Sequence, residues 1–388
     1  MHRSFALFIV SLSAGSLLAA FMTLWHTLGL EERISPAAAT AAGLLVRIMI
    51  GFTLAACSAG LVWGVIENRK MKAGKTRLAL IGNSLIALAF VLLPIYLHTK
   101  RDEPVLYTPP KNANYAYEEV RIGLPGGDTL AGSLTYPRQS RGPMPAVVLI
   151  TGSSPHDRDN SSPDAPLSAY RPFRQIADRL SSNGITVLRM DDRGVGQSVG
   201  GDLLDMTTAD RAGDIEECIR YLRRRPDIDG SRIGLIGLSE GVSISHMIAS
   251  RDAEIKALVF LSGIGSPGKN VLEFQVQQGV LSEAELHRFR QTDKNTRFLY
   301  KFDPLPTVRM IRQPVLILHG DQDRYVPPSD ARALERELKR GGNSRVTVRV
   351  LEGYDHTLLR VDSKGRIRSA RIPDEVLTLI SDWIVKEL

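Results

Sequence analysis

The sequence predicts an α/β protein: a doubly wound, mostly parallel sheet with a small helical lid, preceded by three transmembrane helices. Three observations carry this expectation. Residues 1–98 contain three apolar stretches, each long enough to cross a bilayer. After residue 118 short β-rich runs alternate with amphipathic helical runs. Several of those runs, such as Val147-Val148-Leu149-Ile150, are apolar at every position, as strands covered by helices on both faces must be. The expected organisation is therefore a membrane anchor over 1–98, a linker over 99–117, and an α/β domain over 118–388 with an insertion at about 264–313.

In the anchor the stretches are 5–30, 43–66 and 78–97. At 1.5 Å per residue each matches a hydrocarbon core of about 30 Å. Arg47 is the one residue of fixed charge inside them, and its stem reaches the nearby interface by snorkelling. A cleaved signal peptide is the alternative for the first stretch, but a signal's apolar core runs about 7–15 residues and this one is longer. The segment 67–77 carries Arg69, Lys70, Lys72, Lys75 and Arg77, whereas 31–42 carries Arg33 beside Glu31 and Glu32. The basic loop is expected on the cytoplasmic side. Three crossings then make a multi-pass cell-membrane protein whose domain after His98 is extracytoplasmic, on the periplasmic or outer face.

Charge follows the same division. Of 49 Lys+Arg and 42 Asp+Glu, eight basic and three acidic residues fall in 1–98, leaving 41 and 39 for the rest. A part that close to neutral has little means of releasing counterions from phosphates, which excludes nucleic acid as its partner. An apolar content of 43% excludes a disordered chain, and two cysteines, Cys57 and Cys218, exclude a disulfide scaffold.

In the domain, 119–124 and 129–136 flank Pro125-Gly126-Gly127-Asp128 and read as a hairpin. Strands are expected at 146–150, 186–190, 232–236, 257–261, 315–318 and 345–350, and helices at about 168–182, 208–224, 240–250, 329–339 and 373–386. In a sheet of this type ligands bind at the carboxyl ends of the strands, so the search for chemistry narrows to those ends. The insertion at 264–313 interrupts the alternation above those ends and reads as a lid. Ser282 and Glu285 have capping-box spacing within it.

Three strand ends carry a constellation. The strand 232–236 runs into Gly237-Leu238-Ser239-Glu240-Gly241, in which a serine sits on a sharp strand-to-helix turn and small flanking residues let strand and helix approach. As a bare pentapeptide the pattern is weak. A serine nucleophile also needs a base, and the base an orienting carboxylate. After 315–318 comes His319-Gly320-Asp321-Gln322-Asp323, where Asp323 is the candidate acid and Asp321 is assigned to the turn. After the last strand, His356 is the candidate base. His287 falls in the lid, His246 lies past the elbow on its helix, His319 sits beside the acid and His156 follows another strand. Only His356 completes the order Ser, Asp, His at successive strand ends. The backbone N–H of Glu240 is one expected oxyanion donor. The other comes from the loop 151–159, as the N–H of Ser153 with Ser154 as the alternative. Asp157-Arg158-Asp159 in that loop reads as an ion-paired lock.

Taken together, Gly-Leu-Ser-Glu-Gly at 237–241, His-Gly-Asp-Gln-Asp-Arg-Tyr-Val-Pro at 319–327, Tyr-Asp-His at 354–356 and the segment 184–198 make the chain from about 118 onward resemble the α/β-hydrolase fold. More narrowly, it resembles the bacterial esterase and serine-aminopeptidase-like members. Thr151 and Ser154 stand where such relatives often have His or Ser and a second glycine. The resemblance implies a serine hydrolase acting on esters or related acyl bonds, with Ser239, His356 and Asp323 as its triad. No metal or organic cofactor is implied. The expected partners are a small acyl or lipid-like substrate and, through 1–98, the bilayer. An exopeptidase or amidase using the same triad is the second reading, with Glu240 or Glu283 available to recognise a peptide terminus. A non-catalytic sensor or binding protein on the same fold is the third.

Overall fold

The computed structural model describes residues 108–388 apart from 110–111, 141, 162–169 and 202–204. The three expected membrane spans lie outside the described residues. Among the described residues, no helix is long and apolar enough to cross a membrane.

Eight strands form one sheet in the order β1-β2-β4-β3-β5-β6-β7-β8. They are β1 (Tyr115–Gly123), β2 (Thr129–Pro137), β3 (Met144–Ile150), β4 (Thr186–Met190), β5 (Ile228–Leu238), β6 (Ile255–Leu261), β7 (Val315–Gly320) and β8 (Val346–Leu351). β1 and β2 pair antiparallel, β2 pairs antiparallel with β4, and the remaining neighbours are parallel. The hairpin turn needs Gly126 and Gly127 at φ 98° and 97°, a region side chains avoid. One expected boundary moves: β1 begins at Tyr115, inside the segment read as linker. Tyr115 is buried and its hydroxyl donates to the Asp178 carboxylate, so tertiary contacts extend the strand beyond its apolar pattern.

Five helices cover the sheet: α1 (Pro172–Ser182), α2 (Thr208–Arg224), α3 (Glu240–Ala249), α8 (Ser329–Arg340) and α9 (Asp374–Glu387). α1 starts at Pro172, later than its apolar pattern, because a proline's missing N–H is harmless in the first turn. A capping box between Thr207 and Asp210 opens α2. The period-two alternation of the strands divides the core in two. Val148, Ile150, Leu235, Leu258, Phe260 and Ile317 face Ala212, Ile219, Val242, Ile244, Leu334 and Leu338 on α2, α3 and α8. Val147, Leu149, Ile236, Val259, Leu316 and Leu318 face Phe173, Ile176, Leu180, Val376 and Ile380 on α1 and α9. Each of these side chains larger than alanine contributes about 1.5–3 kcal/mol by leaving water.

Between β6 and β7 the insertion folds as four short helices: α4 (Gly268–Gln277), α5 (Glu283–Thr292), α6 (Lys294–Lys301) and α7 (Leu305–Val308). The capping box joins Ser282 to Glu285 at the start of α5. Gln275 Nε2 donates to the Tyr325 carbonyl at 3.1 Å and Arg324 to the Gln278 carbonyl, which ties α4 to the loop after β7.

Candidate active site

Ser239, Asp323 and His356 stand at the carboxyl ends of β5, β7 and β8, respectively. Ser239 has φ 56° and ψ −118°, a conformation costly for a residue with a side chain. The surrounding structure holds it there. Its N–H donates to the Leu261 carbonyl at 2.8 Å, and its carbonyl accepts from Val242 N at 3.0 Å. Both elbow glycines are required by close approach. A Cβ on Gly241 would stand 2.3 Å from the Ile150 carbonyl oxygen, and one on Gly237 would stand 2.3 Å from the Gly241 oxygen.

The loop after β7 wraps around the Asp323 carboxylate. Oδ1 accepts from the N–H groups of Tyr325 (2.7 Å) and Val326 (2.9 Å). Oδ2 lies 2.7 Å from His356 Nδ1 and 3.0 Å from His319 Nε2. Burial by itself would raise this carboxyl, but electrostatic attraction by His356 and hydrogen bonds from both imidazoles hold it well below the usual range. An anionic acceptor on Nδ1 places the His356 proton there and leaves Nε2 as the basic nitrogen. Tyr325 packs on the His356 ring with centroids 5.0 Å apart. The His356 loop is shaped by Asp355, whose Oδ1 accepts from Thr357 N and Leu359 N, and by Tyr170, whose buried hydroxyl donates to the Thr357 carbonyl. Asp321 serves the turn, accepting from Gly353 N at 2.7 Å.

The loop after β3 approaches the elbow directly: a Cβ on Gly152 would stand 3.4 Å from the Ser239 Cβ. Ser153 and Ser154 are exposed there, and Ser154 has φ 75°. His156 Nε2 lies 2.8 Å from the Ser153 carbonyl. Asp157-Arg158-Asp159 is an ion-paired lock. Arg158 forks onto buried Asp191 and reaches Glu119, while Asp159 pairs with Arg189. Glu240 opens α3, whose first N–H groups lack intrahelical acceptors and carry the positive end of the helix dipole.

The Glu240 side chain is fully buried. It accepts from Thr208 Oγ1 at 2.9 Å and from Asn295 Nδ2 of α6 at 3.0 Å, with Arg211 Nη1 at 3.4 Å. That engagement removes it as a group for a peptide terminus, and Glu283 is an exposed first-turn residue of α5. Of the other histidines, His246 is buried, stacked on Phe302 and bonded through Nδ1 to Thr307 Oγ1. Two residues escaped the sequence reading, Arg211 and Asn295; His319 was placed beside Asp323, but its contact with that carboxylate was not expected. Arg211 did leave a signal, a charge on the stripe Thr208, Ala212, Ile215, Ile219, Leu222 that faces the core. Among the described residues no group of His, Cys, Asp and Glu is arranged to hold a metal ion.

Esterase EstD of Thermotoga maritima is 26% identical to this chain over 296 residues, 70% of this chain and 68% of that protein. The uncharacterized peptidase YuxL of Bacillus subtilis is 25% identical over 287 residues, 70% of this chain and 39% of that protein. An esterase of Pyrococcus furiosus superposes with a TM-score of 0.55 at 20% identity, over 73% of this chain and 96% of that one, a likeness of fold. Residues 172–388, more than half of the sequence, match the prolyl oligopeptidase family. With an α/β-hydrolase fold and a mostly parallel eight-stranded sheet, the chain belongs to the prolyl oligopeptidase family and is a serine hydrolase.

Proposed function

We propose that the chain is a membrane-anchored carboxylesterase-like hydrolase that cleaves small acyl or lipid-like esters through an acyl-enzyme on Ser239. The observation that carries the reading is the 2.7 Å contact between His356 Nδ1 and Asp323 Oδ2, together with Ser239 on its strained elbow. Ser239 Oγ attacks the ester carbonyl while His356 Nε2 takes its proton. The carbonyl π pair moves to oxygen, where the N–H groups of Ser153 and Glu240 stabilise the charge. Collapse expels the alcohol, which receives the proton from His356, and leaves the acyl group on Ser239. Water, activated by the same nitrogen, then releases the acid. Asp323 stays ionised and stabilises the imidazolium. The relatedness to EstD supports an ester substrate. The apolar stretches at 5–30, 43–66 and 78–97 support a tether that would hold the enzyme at a membrane face.

Amide cleavage by the same triad is the second reading, favoured by the match to the prolyl oligopeptidase family and by YuxL. The engaged Glu240 weighs against an exopeptidase that relies on it. A fluorophosphonate is expected to label Ser239 in the folded protein, and aryl esters to be hydrolysed faster than matched aminoacyl-arylamides. A large preference for the amides reverses the substrate assignment. No labelling of Ser239 removes the catalytic one.

A further inference from the structure

We infer that Arg211 is a positioning residue for the oxyanion hole: a single buried guanidinium that fixes both backbone donors from behind. The inference rests on the triad and donors proposed above. Arg211 lies in the first turns of α2 and is 8% exposed. Its Nη1 donates to the Gly152 carbonyl at 2.9 Å and stands 3.4 Å from Glu240 Oε1. Its Nη2 donates to Thr151 Oγ1 at 2.6 Å, and Asp192 lies at 3.5 Å.

The Gly152 contact matters because a trans peptide is planar. The carbonyl of Gly152 and the N–H of Ser153 belong to one peptide unit and point in opposite directions. Holding the oxygen therefore aims the Ser153 N–H away from Arg211. A cation on the carbonyl side also polarises the unit and makes the N–H a stronger donor. The second donor is reached through a side chain. Glu240 supplies its N–H to the oxyanion, and its carboxylate is gripped by Arg211, Thr208 and Asn295. Both donor segments thus converge on one rigid, five-donor fork, which a lysine cannot reproduce. Burial would lower the Arg211 pKa, yet Asp192 and Glu240 raise it overall, so the charge is present at any working pH. A bare structural arginine need not touch both donor segments; this one does.

An interaction with donors used only when charge develops on oxygen belongs to the transition state. Arg211→Met is expected to lower kcat on an aryl ester roughly 10- to 100-fold, below the full loss of an oxyanion donor, with KM within about twofold. Arg211→Lys should fall between it and the wild type. The pH profile of kcat/KM should not move, because His356 and Asp323 are untouched. Affinity for an alkyl boronic acid, which forms a tetrahedral adduct on the serine, should fall in parallel with kcat/KM. Rates are to be expressed per Ser239 labelled to completion by fluorophosphonate, so that misfolded molecules drop out. Thr151→Val, which removes one anchor of the guanidinium and keeps the shape, is a milder variant expected to lower kcat in the same manner. An unchanged kcat per labelled site in both folded Arg211→Lys and Thr151→Val overturns the inference, as does a loss that appears in KM alone. If Ser239→Ala keeps full activity, the proposed function itself fails and this inference with it; a dead Ser239→Ala beside fully active Arg211 variants overturns the inference alone.

Discussion

At the scale of single residues, His246 is one source of lost stability in acid. It is wholly enclosed on the buried side of the elbow helix, and burial lowers its pKa to about 3 from an ordinary 6.5. The unfolded chain therefore binds a proton below about pH 6.5 that the folded one refuses until about pH 3, so stability is full above 6.5 and falls as pH drops through that window. Its contribution approaches 1.4 kcal/mol per pH unit, about one proton's worth. Chemical denaturation of wild type and His246→Leu at pH 7 and pH 5 should show a smaller acid loss in the variant; equal losses would place the liability elsewhere. The same scale shows what a sequence conceals. Ser239, Asp323 and His356 could be picked out because each follows an apolar run, and a parallel sheet brings strand ends together. His319 also follows such a run, but its 3.0 Å approach to Asp323 depends on how the loop curls back, which spacing does not encode. Asn295 lies 55 residues from Glu240 in sequence, and only the packing of α6 against α2 and α3 joins them.

At the scale of elements, the elbow is a junction with no room for a side chain. Gly241 faces the carbonyls of Ile150 and Thr151 at 2.3 and 2.7 Å from where its Cβ would be, and both are backbone atoms that cannot swing aside. Gly241→Ala must push α3 away from β3, at a cost of about 1–3 kcal/mol or more, and the shift moves the Glu240 N–H with it. A lowered melting temperature accompanied by reduced kcat is expected; a neutral substitution would mean that strand and helix do not meet as described. Regular elements were legible because their residues repeat the period of two or 3.6 that burial demands. α2 runs over Thr208–Arg224, the span its pattern gives, since Thr207 caps one end and Arg223 and Arg224 suit the other. Tyr115 and Pro172 departed from pattern for reasons outside it, one an inter-element hydrogen bond and the other a backbone constraint. The insertion was legible as an interruption with one capped helix, but its four short helices bury few residues of their own, so their periodicity is faint.

For the whole molecule, charge and hydropathy divide the chain into a basic, apolar quarter and a near-neutral remainder. In the proposed anchor, the five basic residues between 67 and 77 would lie on the cytoplasmic side. Reporter fusions after Asp102 and within 67–77 should report opposite sides of the membrane, and the same side for both would refute the three-span scheme. Cys218, on the buried face of α2 with its thiol pushed far up by burial, should resist alkylation until the domain unfolds. The central claim is that a hydroxyl on the elbow does the chemistry. Hydrolysis of a short-chain aryl ester by wild type and by equally folded Ser239→Ala tests it most directly: the account predicts a loss of about 10⁴-fold or more in kcat, and equal rates would contradict it.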